Sequence, residues 1–264
     1  MSSDQGIYSD RYIAFVDILG FSNTVRNSIT SPRQASELVK ALDRIHDRWV
    51  DPALKSTHGV YDADFKVTTF SDCTVMSVAS TPTDLQYLLL MVTQFALDLM
   101  SNGLFVRGGI AKGLLYHSEK AVFGPAFLDA YALEHEIALY PRIVVDKNTH
   151  LDYEKNPIPE AFDEFILPAL RYDEDGPIFV NVLAAYRITE RTYPSRVLLT
   201  GGSIRACIQN QFNNSIYNPD HYKKLKWLAM YWNSVRLNCK IVDRLERIDF
   251  PMAKDWRRVN GLES

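Results

Sequence analysis

Asp17 and Asp72 are carboxylates that fall where a strand gives way to a turn, and a pair of that kind can hold divalent cations. Asp17 closes a run of β-formers within Tyr12 to Ser22, YIAFVDILGFS, and Gly20 then opens a polar turn into a helix. A charge at the end of a buried strand is costly unless it meets a cation in a cleft, and the helix start beyond it offers free N–H groups to phosphate. Taken alone, Asp17 is better explained as the cap of that helix. Asp72 changes the balance, because it too is displayed from sheet structure, in the stretch DFKVTTFSDCTVMSVAS from Asp64 to Ser80. Arg107 and Lys112, on the glycine-bearing strand LFVRGGIAK, either stabilise charge on a reacting phosphorus or sit in solvent at a strand end. One task suits the set. Two divalent cations shared by Asp17 and Asp72, with the Ile18 carbonyl as a further oxygen, would bridge a triphosphate and lower the pKa of a ribose hydroxyl for in-line attack. The N–H groups of Leu19, Gly20, Phe21 and Ser22 would hold the terminal phosphates.

The elements that must position these residues follow from hydrophobic spacing. After the Asp17 strand, a short helix spans Gly20 to Asn27, and a second spans Arg33 to Trp49 with Ala35, Leu38, Val39, Leu42 and Ile45 at helical intervals. A hairpin places Phe70 to Cys73 at its turn. Pro82 starts a helix, Leu85 to Met100, that is apolar on nearly every side, and Gly103 closes it. The strand Leu104 to Lys112 carries a glycine pair that lets a backbone or ligand come close. A short strand at Lys120 to Phe123, an amphipathic helix from Ala126 to Leu139 and a closing strand Arg142 to Asp146 complete the series. The pattern is α+β, with a ferredoxin-like antiparallel sheet covered by helices. Residues 147–264 read as a mixed, mainly helical extension that packs on residues 1–146 or serves a dimer. In it Asn148 to Glu164 is polar, strands fall at Phe165 to Tyr172 and Pro177 to Val182, and helices at Gly202 to Asn213 and Pro219 to Leu237.

Composition narrows the partners. A chain of 264 residues with 47% hydrophobic and 23% charged residues buries a real core, and a formal charge of −3 gives no bulk attraction to nucleic acid or acidic membrane. The three cysteines, Cys73, Cys207 and Cys239, lack paired metal spacing and fit reduced thiols, with Cys73 a small buried hydrophobe. The polar start MSSDQGIYSD and the absence of a membrane-length apolar run point to a cytoplasmic protein. None of the six histidines has metal-ligand spacing, and Lys223, Lys224 and Lys226 read as a solvated helix face.

Three motifs then carry a resemblance. FVDILGFS from Phe15 resembles the first metal motif of class III nucleotide cyclases, FSDCTVMSV from Phe70 their second, and VRGGIAKG from Val106 their following glycine strand, all in family order. The likeness spans about Arg11 to Asp146. Departures are equally plain. The lysine and aspartate that read a purine in adenylyl cyclases fall at Thr68 and Ala121, and the usual asparagine and transition-state arginine fall at Leu128 and Ala132. A silent binder and a divergent cyclase for another base both remain, and retention of both metal aspartates favours the second. The divergent pattern, with GxAxxxAYxLE from Gly124 and YPRIVVD from Tyr140, resembles the bacterial pyrimidine cyclases of the Pycsar antiphage system. That resemblance implies a homodimer with sites at its interface, conversion of UTP or CTP to a 3′,5′-cyclic mononucleotide with two Mg²⁺ or Mn²⁺ ions per site, and a separate effector that answers to the product. Thr68, Phe70 and Ala121 would line a smaller base pocket. Tyr131 and Glu134 either replace the missing polar groups or, for Tyr131, pack as a core ring. A rotatable hydroxyl at Thr68 does not choose uracil over cytosine by residue type, so UTP leads only slightly. A purine cyclase would prefer ATP or GTP instead.

Overall fold

The computed structural model describes residues 6–45, 64–156, 170–185, 194–236 and 247–250. His46, Trp49, His58, Cys239, the first residues of the strand expected from Phe165, and 157–164 lie outside the described residues.

Strand β1 (Ser9–Ile18) runs between β3 (Cys73–Ala79) and β4 (Val106–His117), antiparallel to both. β2 (Lys66–Phe70) forms a tight hairpin with β3, turning at Ser71, whose φ is 57°. The spatial order β2-β3-β1-β4 is the ferredoxin-like antiparallel arrangement. Beyond it β6 (Ile143–Val145) joins parallel to β4, β8 (Ile178–Val180) pairs antiparallel with β6, and β7 (Leu170–Tyr172) with β8, while β5 (Val122–Phe123) pairs with the far end of β4. The chain after Asp146 therefore adds strands to the same sheet.

β1 is buried almost continuously because both faces of the sheet are covered. One face packs Tyr12, Ala14, Val16, Met76, Val78 and Ile110 under α3 (Pro82–Ser101), α6 (Pro194–Asn214) and α7 (Pro219–Arg236). α3 starts where the sequence places it: Pro82 fills the first turn, and Thr81 accepts a hydrogen bond from the Asp84 amide at 3.2 Å. The opposite face packs Ile13, Phe15, Val75, Ala111 and Leu115 against Ala126 and Ala130 of α4 (Pro125–Ala132) alone. Two short helices, α1 (Phe21–Ser28) and α2 (Pro32–Ile45), follow β1, and α5 (Lys147–Lys155) follows β6.

Two sequence expectations change. The single helix expected over Ala126 to Leu139 breaks after Ala132 into a π-helical turn, Leu133–Ile137, closed by the Ala138 N–H on the Leu133 carbonyl at 2.8 Å. The polar stretch from Asn148, to which the sequence reading gives no element, begins within α5, because Asp146 caps that helix by accepting from the Thr149 N–H at 2.7 Å.

The glycine pair serves packing. A Cβ on Gly109 would stand 2.2 Å from the Ala130 carbonyl oxygen and 2.6 Å from Leu133 Cβ, so the backbone that approaches this strand is that of α4. Gly109→Ala is expected to cost about 3 kcal/mol in denaturant unfolding. A loss within about 0.5 kcal/mol, the range of an ordinary surface substitution, would contradict that close approach.

Candidate active site

Strand register sets which side chains meet. Asp17 lies opposite Cys73 on one neighbour and Arg107 on the other, and all three belong to the face that α4 covers. Asp72 occupies the hairpin turn next to Cys73, and the Ile18 N–H donates to its carbonyl at 3.2 Å. Ligand atoms of Asp17, Asp72 and Cys73 all lie within 4.8 Å of one another. Arg107 bridges this group to Glu134, its Nε 3.4 Å from Asp17 Oδ2 and 2.7 Å from Glu134 Oε1. The π turn aims Glu134 inward, where it is 3% exposed and its Oε1 has charge contact without an aligned hydrogen bond.

The electrostatics would suit a cation. Burial, then repulsion from Glu134 and Asp72, pushes the Asp17 carboxyl from an ordinary 3.8 up to about 6, against the pull of Arg107. Glu134 is raised by burial as well. Three carboxyl groups thus face one guanidinium. Burial and the neighbouring aspartates push the Cys73 thiol up to about 12, so it stays protonated and leaves the hard oxygens of Asp17 and Asp72 as the donors. That donor set fits Mg²⁺ or Mn²⁺.

At the head of α1, Gly20 takes a φ of 77°, a left-handed turn that suits glycine. Among the described residues no acceptor takes the Gly20, Phe21 or Ser22 N–H, whereas the Leu19 N–H donates to the Phe105 carbonyl at 2.8 Å. Leu19 therefore cannot contribute its N–H to phosphate as expected. Lys112 also departs from expectation. It is five positions from Arg107 on one strand, so it points to the other face, where its Nζ lies 2.8 Å from Asp152 and 5.2 Å from the Tyr12 ring centroid.

Further along the Asp17 face, Phe15 is the hub of an aromatic cluster. Tyr131 meets it edge-on at 5.5 Å and Phe70 tilts against it at 6.4 Å, and both outer rings are 45% exposed, so Tyr131 is neither a core ring nor a free side chain. Thr68 shares a hydrogen bond with His117 at 3.0 Å, and Ala121 is exposed in the turn just after His117.

Two residues enter that sequence reasoning had set aside. Lys224 of α7, which the sequence places in a solvated patch, lies within electrostatic range of both Arg107 and Asp17, and its pKa is lowered by burial and by Arg107. Its only sequence signal was its place beside Leu225 and Leu228, which fixes the α7 face it borders. The sequence gives His117 no role, and only the strand register brings it against Thr68 and Ser77. No helix among the described residues is long and apolar enough to cross a membrane.

Neither a protein-family model nor a curated protein matches the sequence. Among solved structures the chain is similar to a crystal structure of an adenylate/guanylate cyclase/hydrolase from Silicibacter pomeroyi, at 16% identity and a TM-score of 0.38, over 66% of this chain and 95% of that one. A likeness at that level carries no argument about chemistry.

Asp17 makes the charge state of this site measurable. Its folded pKa lies above its unfolded one, so the stability it contributes is present at low pH and is lost as pH rises through about 6. In metal-free protein at pH 8, Asp17→Asn is expected to raise unfolding stability by up to about 3 kcal/mol, a gain that closes below pH 4. Mn²⁺ should stabilise the parent chain and not the variant. Thermal melts across pH, with and without Mn²⁺, check both, and a variant equally stabilised by Mn²⁺ would remove Asp17 from the metal site.

Proposed function

We propose that this chain is a pyrimidine nucleotide cyclase that converts UTP, and CTP less well, to the 3′,5′-cyclic mononucleotide and pyrophosphate. The observation that carries the reading is the convergence of Asp17 and Asp72 within 4.8 Å, in a surplus of negative charge. A divalent cation bound there supplies charge neutralisation and a more acidic ribose 3′-hydroxyl. The chain's own residues supply the rest. The N–H groups of Gly20, Phe21 and Ser22 at the head of α1, which have no acceptor among the described residues, receive terminal phosphate oxygens. Arg107, between Asp17 and Glu134, is placed to meet charge developing on the α-phosphate as the 3′-oxygen attacks and pyrophosphate leaves. Lys224 adds a cation from the C-terminal helices. The half-exposed rings of Phe70 and Tyr131 offer stacking surface for a base, and Thr68 and Ala121 border it with small side chains.

The motif resemblance supports placing this activity in Pycsar antiphage signalling, with a homodimer that assembles its sites across the interface and a separate effector reading the cyclic product. A second reading, a catalytically silent nucleotide-binding domain, draws on one observation: Leu128, where class III cyclases carry a polar group, is 64% exposed and has no chemistry to offer.

Incubating the protein with each ribonucleoside triphosphate and Mn²⁺, with products identified by mass, separates these readings. Cyclic UMP is the expected main product, reduced at least about a thousandfold in Asp17→Ala and Asp72→Ala and about a hundredfold in Arg107→Ala. Lys224→Ala should raise KM for the triphosphate more than it lowers kcat. Cyclic purine product would overturn the base assignment, and saturable binding with no cyclic product would favour the silent domain.

A further inference from the structure

Arg142, the residue before β6, takes no part in the chemistry above, yet it joins the three elements that carry Arg107, Glu134 and Lys224. Its carbonyl accepts from the Gly108 N–H at 3.1 Å, one residue along β4 from Arg107. Its Nη2 donates to the Ile137 carbonyl at 3.3 Å, at the end of the π turn that delivers Glu134. The guanidinium then reaches the turn between β7 and β8, where Nη1 pairs with Asp173 and with Asp175 Oδ1 at 2.6 Å, and Nη2 with Asp175 Oδ2 at 2.7 Å. Asp173 Oδ2 also accepts from Trp227 Nε1 of α7 at 2.8 Å. The Trp227 ring stacks with Tyr140 at 5.7 Å, and the guanidinium lies against both rings, 5.1 Å from the Tyr140 centroid and 5.8 Å from that of Trp227.

Such a clamp supplies orientation more than stability. A buried ion pair gains little beyond the desolvation cost of its own charges, so apolar contacts would hold α7 to the sheet as well. What the polar clamp adds is direction, because a planar fork binds its carboxylates in one geometry and the shared Asp173 oxygen fixes the edge that the indole presents. Lys224, Trp227, Leu228 and Tyr231 are spaced three and four apart and lie along one side of α7. Tyr231 pins that side further along, donating to Asn181 Oδ1 at 2.6 Å. Trp227 therefore anchors the helix within one turn of Lys224. Lys224 needs that anchor. The charge it feels most is that of Arg107, and two cations set side by side repel until an anion lies between them.

We infer that Arg142 is a positioning residue for the triphosphate: through Asp173 and Trp227 it sets the rotation and depth of α7, and so holds Lys224 beside Arg107, where a terminal phosphate oxygen can lie between the two cations. Arg142 meets no substrate itself, since its side chain is 0% exposed and is taken up by its carboxylates. The strands and helix after Asp146 thereby become part of the phosphate site. The inference rests on the nucleotide reading of that site, but not on turnover.

Equilibrium titration with UTP in Ca²⁺, on single and double variants, tests it. Lys224→Ala is expected to weaken UTP about tenfold, and Trp227→Phe, which keeps a ring and loses the N–H, about fivefold. In the double variant the loss should stay near that of Lys224→Ala alone, because the indole acts through the lysine. Arg142→Lys, which keeps the charge and loses the fork, should match Trp227→Phe; if it fails to fold, Trp227→Phe decides the matter. The thermal shift given by Mn²⁺ should persist in Trp227→Phe, since the clamp leaves Asp17 and Asp72 in place. UTP binding within about twofold of the parent chain in Trp227→Phe, or losses that multiply to about fiftyfold in the double variant, would overturn the inference. So would loss of the Mn²⁺ shift, which marks general damage, or a parent chain that binds no triphosphate. Absence of a cyclic product from a parent chain that binds UTP would instead sink the cyclase reading, and the binding ratios would still decide the role of Arg142.

Discussion

Three carboxyl groups held around one guanidinium are the constraint on which the rest of this molecule turns. Asp17, Asp72 and Glu134 repel one another in a partly dry site, and Arg107 offsets only part of that repulsion. Nothing local favours such a cluster, so the surrounding fold must enforce it. β1 delivers Asp17 between its two antiparallel neighbours, the two-residue hairpin turn delivers Asp72, and the π turn after α4 swings Glu134 back over the sheet. Gly109 is part of the same device, since α4 could not lie close enough to deliver Glu134 if that strand carried a side chain there.

The two sheet faces divide stability from chemistry. Leu85, Leu88, Phe95, Ile208, Phe212, Leu228 and Trp232 pack one face from three helices, and at roughly 2 kcal/mol for each large apolar side chain this layer carries the larger share of hydrophobic stabilisation. The other face is covered by α4 alone and leaves half-exposed rings at Phe70 and Tyr131 above buried Phe15. A thinly covered face can afford charged and polar side chains because the thick face holds the sheet. The polar line that joins Arg11, Ser77, His117 and Thr68 is tolerable on the same grounds: each of its buried members has a partner, so its desolvation is largely compensated.

Much of this was legible in the sequence because the signals are local. The β-branched run before Asp17, the turn around Asp72, Pro82 at the start of α3 and the glycine pair in β4 each specify their own element, and the ferredoxin-like order follows from their succession. What escaped depends on register and tertiary contact. The odd spacing of Arg107 and Lys112 did carry the information that they face opposite ways, and the Asp146-to-Thr149 spacing did carry the cap of α5. Sequence spacing reads Glu134 as a helix residue, since a π turn has no reliable sequence mark. Lys224 has only its place beside Leu225 and Leu228 as a local signal and His117 has none, because their site neighbours come from distant parts of the chain.

The central claim, that Asp17 and Asp72 together hold the cation that grips a triphosphate, is most directly tested by anomalous diffraction from crystals grown with Mn²⁺ and a non-hydrolysable UTP analogue. The expected result is Mn²⁺ density between the two carboxylates, in contact with analogue phosphate oxygens at the head of α1. Density elsewhere, such as beside Asp10 and Asp152 on the opposite face, with none at Asp17, would contradict the account.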